Sequence, residues 1–431
     1  MVFSEVCRLI LNLNNKFKSE DYKRILSNFL SLSILQGVNL ILPLITLPYL
    51  VKVLGVELFG LLAFATTTMV YFNLLVDYGF NLTATREISI YRDNKEKLVE
   101  IFSSVMIIKF ILIIISFTLL VLLVFFVEKF RQDSLVYFLT FGIVIGQALF
   151  PVWFFQGIER MKYITFLNVL SKIIFTVAVF IFINDKSDFL WVPTFTTLGF
   201  LVAGMYSLII IKNEFKIELK RQSVQTLKNY IINGWDIFVS QIGINLYRYT
   251  NILILGIFSN NLYVGYYAIA EKLLIALQSL QAPMGQALFP FVSKKFSQLS
   301  IQTSIQLLFK YTYLVFIFLL LIYITSLVFS DYIIIFIVGD LKQNILLDFY
   351  ILLPIVIIGG LNYYFGILGL TNLGMTSYFS KSVLFTGVLN LLISVPLSYI
   401  FNDTGAAISL LISETFLIIN IILIIKKKYY R

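Results

Sequence analysis

IFVSQIGINLYRYTNILILGIF, Ile237 to Phe258, is long and apolar enough to cross a bilayer as a helix. One charge interrupts it near the middle, Arg248. A guanidinium at bilayer depth costs about 2.5–3.5 kcal/mol on insertion scales. It persists there only against other protein, water or an anion. The stretch therefore predicts helical bundles packed around a water-filled, cationic cavity into which Arg248 points.

The rest of the chain agrees. Its 431 residues are 59% hydrophobic and 13% charged, with a mean hydropathy of +0.92. Soluble domains carry about 25% charged residues, so the apolar excess cannot be hidden in soluble cores. The single cysteine, Cys7, excludes an intrachain disulfide, and the absence of histidine excludes His-ligated metal, His-based catalysis and a His proton switch. Val6–Leu13 is a short apolar run with charge on both sides, unlike a secretory signal.

Apolar runs of about 20 residues predict an all-α polytopic membrane protein of twelve transmembrane helices. The expected organisation is a basic cytoplasmic arm (1–26), a six-helix bundle (27–211), a cytoplasmic linker (212–229), a second six-helix bundle (230–425) and a basic tail (426–431). Part of the arm could stem from an upstream start codon. The formal net charge is +10. Among the loops on one side, Lys and Arg are only Lys52, Lys129, Arg131, Lys186 and Lys342; most others fall on the opposite side. That asymmetry places both termini in the cytoplasm. GFNLTATREISIYRDNKEKLVE (79–100) reads as an amphipathic surface helix, and Tyr332–Val338 is a short extra apolar run.

LFGLLAFA (Leu58–Ala65) follows Leu54-Gly55, and YVGYYAIA (Tyr263–Ala270) follows Leu255-Gly256. Gly60, Ala63 and Ala65 align with Gly265, Ala268 and Ala270, which suggests two halves of like orientation related by an axis along the membrane normal. GQALFP also occurs twice, at Gly146–Pro151 and Gly285–Pro290, but in another register, so it reads as shared helix-end chemistry. Pro43 and Pro48 could let the first span bend.

Few charges lie within the spans. Arg248, Lys172, Lys109 and Lys272 are the cations, and their excess predicts an anionic cargo, because Arg and Lys match phosphate oxygens. Lys109 could also snorkel to the headgroups. Glu271 and Glu414 are the deep carboxylates and could carry protons. Glu271 and Lys272 are adjacent and diverge by about 100° around a helix, so they face different ways. Asp77 and Asp236 suit helix-end or gate roles as partners of arginines. Tyr363, Tyr364, Trp153 and Trp235 could stack on sugars, although most aromatics of such a chain pack or form interface belts. No Walker motif, DxD pair, metal cluster or Ser/His/Asp set is present. The expectation is a transporter, not an enzyme, with no cofactor, no metal and no nucleic-acid partner.

LFPVWFFQGIERMKYIT (Leu149–Thr165) resembles the P-x-W-x-x-Q-G-x-E-x-M stretch of bacterial O-antigen and polysaccharide flippases, through Trp153, Gln156, Gly157 and Glu159. DYGFNLTATREIS (Asp77–Ser89) resembles their second-span exit, and VGYYAIAEKL (Val264–Leu273) with QALFP (Gln286–Pro290) their eighth span. The resemblance covers nearly the whole chain. It implies the multidrug/oligosaccharidyl-lipid/polysaccharide exporter fold, two six-helix bundles around a central cationic cavity. It further implies a flippase of the bacterial inner membrane that moves an undecaprenyl-diphosphate-linked oligosaccharide to the periplasmic leaflet by alternating access with ion or proton exchange. A polysaccharide polymerase and a chain-length regulator would be its partners in O-antigen or capsule assembly. Alternative readings are a multidrug or cation antiporter of the same superfamily and a membrane polysaccharide polymerase.

Overall fold

The structure, a computed structural model, describes residues 19–429. Cys7, most of the expected N-terminal arm and the last two residues of the tail lie outside them. Every regular element among the described residues is helical. The first half comprises α1 (Ser19–Leu54), α2 (Val56–Asp77), α3 (Phe80–Ile90), α4 (Lys95–Phe126), a short α5 (Glu128–Gln132), α6 (Ser134–Ala148), α7 (Val152–Gly157), α8 (Met161–Phe182) and α9 (Trp191–Glu214). The second comprises α10 (Val224–Phe258), α11 (Asn261–Ser279), α12 (Ala282–Phe296), α13 (Ile301–Val328), α14 (Ser330–Val338), α15 (Gln343–Leu352), α16 (Ile355–Asn362), a π-helical segment (Tyr363–Thr371) and α17 (Thr376–Tyr429).

Local chemistry sets these boundaries. Side chains of Asn94, Ser223, Asn260 and Ser300 cap α4, α10, α11 and α13 by accepting from the backbone three residues on. Gly55, at φ +82°, turns the chain between α1 and α2. α17 is broken at Asn402, whose φ of 52° is non-helical, so one continuous assignment holds two helices. α1 continues through Pro43 and Pro48.

Nine helical stretches among the described residues are long and apolar enough to cross a membrane. α10 passes only as the shorter apolar piece Arg248–Phe258, and α11 does not pass. Ser240, Gln241, Asn245 and Arg248 dilute the first, and Glu271 and Lys272 the second. The residues 79–100 form α3 and the start of α4 rather than one surface helix, and α3 buries Phe80, Ala84 and Ile88 on one face. The short run at Tyr332–Val338 becomes α14, which packs on α1. The chain between the halves is shorter than expected, because α9 ends at Glu214 and α10 starts at Val224.

In the first half α9 packs on both α6 and α8, α1 lies on α8 and α2 on α6. In the second, α10 lies along α17, and α15 bridges α11 and α17. The halves meet chiefly where α2 crosses α11, near the start of both helices. The two glycines aligned by the repeat touch there. A methyl on Gly60 would strike the Asn261 carbonyl oxygen and come within 2.5 Å of Gly265 N and 2.9 Å of its Cα, while one on Gly265 would strike the Val56 carbonyl. Contact between two residues aligned by the repeat is compatible with an axis running between the halves. Small residues allow the backbones to approach this closely.

The same end is tied by Lys129 of α5. Its ammonium reaches the second half, 2.9 Å from Asn261 Oδ1 and 3.4 Å from the Ser259 carbonyl at the end of α10. A cation suits that carbonyl-rich terminus. Burial lowers the Lys129 pKa from its ordinary value, and the charges of Asp133 and Glu57 oppose that shift. At the opposite end the halves touch where Tyr78 stacks on Phe238, ring centroids 4.7 Å apart.

Candidate functional site

A cavity of about 800 Å³ opens in the second half between α10, α11, α16, the π-helical segment and α17. Arg248, Glu271, Asn362, Tyr363 and Glu414 line it. Every lining residue comes from the second half, so this cavity is not the vestibule shared by two bundles that the sequence led us to expect. π-helical segments widen a helix by an extra residue per turn and recur at functional sites; here that segment brings Tyr363 to the wall.

Arg248 is exposed on α10 and, among the described residues, forms no ion pair. The carboxyl groups are held. Tyr267 donates to Glu271 Oε1 at 3.1 Å, and Asn362 Nδ2 donates to Glu414 Oε2 at 2.6 Å and to its carbonyl at 3.1 Å. Both glutamates are 9% exposed. The wall thus offers one cation and two carboxyl groups, which is less cationic than sequence depth suggested.

The other cations lie elsewhere. Lys109 is 3% exposed, and its ammonium sits 2.9 Å from Asp77 Oδ1. It neither snorkels nor lines this cavity; it neutralises a carboxylate inside the first half. The partner of Asp77 is therefore a lysine, where an arginine was expected, and Asn81 donates to its other oxygen at 2.8 Å. Lys172 is half-buried on α8 and donates to Asn39 Oδ1 of α1 at 2.5 Å. Lys272 is exposed while Glu271 is buried, as their angular separation demands. Its spacing from Gly265 and Ala268 puts it on the α11 face that meets α2. Asp236 is exposed on α10. Of the four candidate stacking residues only Tyr363 reaches the cavity: Trp153 and Tyr364 are 0% and 1% exposed, and Trp235 lies exposed against Phe238.

The P-x-W-x-x-Q-G-x-E-x-M residues build a clamp far from this cavity. Trp153 is buried against Phe102 and Phe154. Thr85 of α3 donates to the Trp153 carbonyl at 3.2 Å and lies 3.5 Å from Gln156 Oε1, and Ser89 donates to the Gly157 carbonyl at 3.2 Å. A Cβ on Gly157 would strike Ile88 and come within 3.0 Å of the Thr85 carbonyl. Glu159 takes a positive φ of 58° and binds Arg92 Nη2 at 2.6 Å. Asn28 Nδ2 donates to its carbonyl at 3.2 Å. The motif thus fixes α3 and α1 to the α7–α8 turn.

Sequence reasoning missed a buried polar chain behind the cavity. Asn251 Nδ2 donates to Tyr267 Oη at 3.2 Å, Ser409 to Asn251 Oδ1 at 3.1 Å, and Ser413 to Asn390 Oδ1 at 3.1 Å. It also missed Asn362. Serines four apart on α17 and single asparagines in apolar runs were the available signal, and it is weak, because such residues also bond their own helix.

The fold defines a class, all-helical proteins with helices long and apolar enough to cross a membrane. The structure aligns with an inward-facing multidrug resistance MATE family transporter of the MOP superfamily at a TM-score of 0.73 and 13% identity, covering 94% of this chain and 98% of that one. It aligns with the lipid II flippase MurJ in an inward-closed conformation at 0.74 and 12% identity, covering 93% and 87%. Residues 25–296 match the family described as polysaccharide biosynthesis protein, and the chain belongs to that family. It is 32% identical over 392 residues to an Escherichia coli (strain K12) protein named "Putative O-antigen transporter", covering 90% of this chain and 93% of that one.

Proposed function

We propose that this chain flips an undecaprenyl-diphosphate-linked oligosaccharide from the cytoplasmic to the periplasmic leaflet of the bacterial inner membrane. It is a transporter, not an enzyme. Family membership and the name carried by the E. coli relative support the cargo class. The distribution of Lys and Arg supports twelve crossings with both termini in the cytoplasm. In that orientation the Gly60–Gly265 contact closes the periplasmic end.

The observation that carries the reading is Arg248, a cation on a cavity wall within a membrane-spanning half. Its guanidinium holds the diphosphate, Tyr363 offers a ring to the sugars, and the lipid tail stays in the bilayer. Lys272 and Lys172 add positive charge along the route, whereas Lys109 serves Asp77. Protonation of Glu271 or Glu414 relieves negative charge beside Arg248 and so couples cargo to the proton gradient. Asp77 and Asp236 act at helix ends. A polymerase and a chain-length regulator would receive the product.

Charge-assisted hydrogen bonds contribute about 1.5–3 kcal/mol each, so Arg248→Ala lowers cargo affinity by roughly 10- to 150-fold. Translocation in proteoliposomes and complementation of a deletion strain measure this. Normal translocation by a normally expressed variant removes Arg248 from the mechanism. A second reading, an antiporter of cationic drugs, is favoured by one observation, that Glu271 and Glu414 share the cavity. Drug hypersensitivity of the deletion strain with intact surface polysaccharide would select it.

A further inference from the structure

A second pair of buried carboxyl groups lies outside the cavity. α15 carries Asp348, which is 0% exposed, and α17 carries Asp403 just past its break at Asn402, 2% exposed. The two carboxyls lie within hydrogen-bonding reach of one another. Asp403 also accepts from backbone amides and from the Asn344 side chain. Neither oxygen of Asp348 meets a donor among the described residues, nor does Asp403 Oδ2. Among those residues no Lys or Arg pairs with either group.

The surrounding elements supply no compensating charge. α11 presents Tyr267, and α17 presents Asp403 itself. On α14, Ser330 Oγ lies 3.0 Å from the Tyr350 hydroxyl and Asp331 is exposed. Before α15 begins, Asp340 and Lys342 pair with each other at 2.7 Å. Two ionised carboxylates facing one another in a dry interior repel and leave their oxygens bare, so one of them must hold a proton. A single proton turns one acceptor into the donor that the other lacks.

We propose that Asp348 and Asp403 form a protonation site carrying one shared proton, separate from the cavity carboxyls and linked to them through Tyr267. The Tyr267 hydroxyl is bonded to Glu271 on the cavity wall and lies within electrostatic reach of Asp348. Loading adds one proton from water to the doubly ionised pair, and release returns it; no other bond changes. The side of the membrane that supplies the proton rests on the orientation proposed above. Ser259 Oγ lies 2.9 Å from Asn402 Oδ1, next to Asp403 and next to the Lys129 tie, so in that orientation the supply is periplasmic and parting of the halves there admits it.

The test is infrared titration of the full-length protein, following the carbonyl stretch of protonated carboxyl groups. The wild type retains such a band at neutral pH, and it persists in Glu271→Gln/Glu414→Gln. Asp348→Asn abolishes it, because Asp403 keeps its own donors and ionises, and Asp403→Asn shifts it by replacing the bonded partner. Should Asp348→Asn fail to fold, the frequency shift in Asp403→Asn decides. A wild type without the band overturns the proposal. So does a band unchanged in both asparagine variants, or one erased when sodium replaces potassium, which would indicate a metal-cation site. The readout needs no cargo, so its failure leaves the flippase reading standing, and failure of that reading leaves the band in place.

Discussion

Gly60→Ala separates conformational from folding stability at the contact between the halves. The added methyl would sit 2.5 Å from Gly265 N and 2.9 Å from its Cα, and would overlap the Asn261 carbonyl. All three are backbone atoms and cannot swing aside, so α2 and α11 must part by roughly 1 Å to restore ordinary contact. Overpacking of this kind costs about 1–3 kcal/mol. The helix propensity gained on replacing Gly by Ala, about 1 kcal/mol, is present whether the halves touch or not. It cancels in the equilibrium between conformations, leaving the whole clash to favour the state open at this end, by roughly 5- to 150-fold. Unfolding, by contrast, scarcely changes, since opening relieves the clash. The assay is maleimide labelling of Leu262→Cys, which lines the seam, in a Cys7→Ser background with an impermeant reagent, alongside thermal unfolding. Faster labelling with little change in Tm is expected. Gly37→Ala is the control: no atom lies within 4 Å of its added methyl, so it leaves labelling unchanged and stabilises the fold by up to about 1 kcal/mol. Unchanged labelling in Gly60→Ala, and also in the bulkier Gly60→Val, would refute the reasoning.

Three other substitutions probe separate joints. Lys129→Met removes the bonds to Asn261 and the Ser259 carbonyl, about 1–3 kcal/mol in all, and should speed labelling at the same seam without loss of expression. Lys109→Met strands Asp77 beside a buried apolar group; because the Asp77 side chain is 28% exposed, the loss should fall below the about 3–5 kcal/mol of a fully buried pair, and Asp77→Asn in the same chain should restore much of the Tm. Arg92→Met removes the 2.6 Å bond to Glu159; limited proteolysis should then cut faster between α3 and α4, while cargo affinity stays within twofold of wild type.

The helical class was legible in sequence because it depends on a local pattern, apolar run length; small residues recurring in register singled out Gly60 and Gly265, but nothing in that recurrence said that the two touch. The site was legible only in part. Arg248 and Glu271 stood out because charge in an apolar run is costly, and both reach the cavity. Lys109 carries the same signal yet pairs with Asp77, because depth along a helix says nothing about which face looks where. Asp348 and Asp403 went unnoticed for the opposite reason. Each lies close to a helix end, where carboxylates are ordinary, and only the folding of α15 against α17 makes them neighbours. The P-x-W-x-x-Q-G-x-E-x-M residues were recognisable by resemblance, but their work as a clamp needed Arg92, Thr85 and Ser89 in space.

The polar cavity wall belongs to one half alone, while in the other Lys109 and Asp77 cancel each other. On the proposed reading, the two halves would divide the labour. The half that holds the cavity would meet the cargo, and the other would be the surface it moves against. On that reading, a change of cargo would call for edits to α10, α11, α16, α17 and the π-helical segment, which line the cavity, with the Gly60–Gly265 contact left untouched.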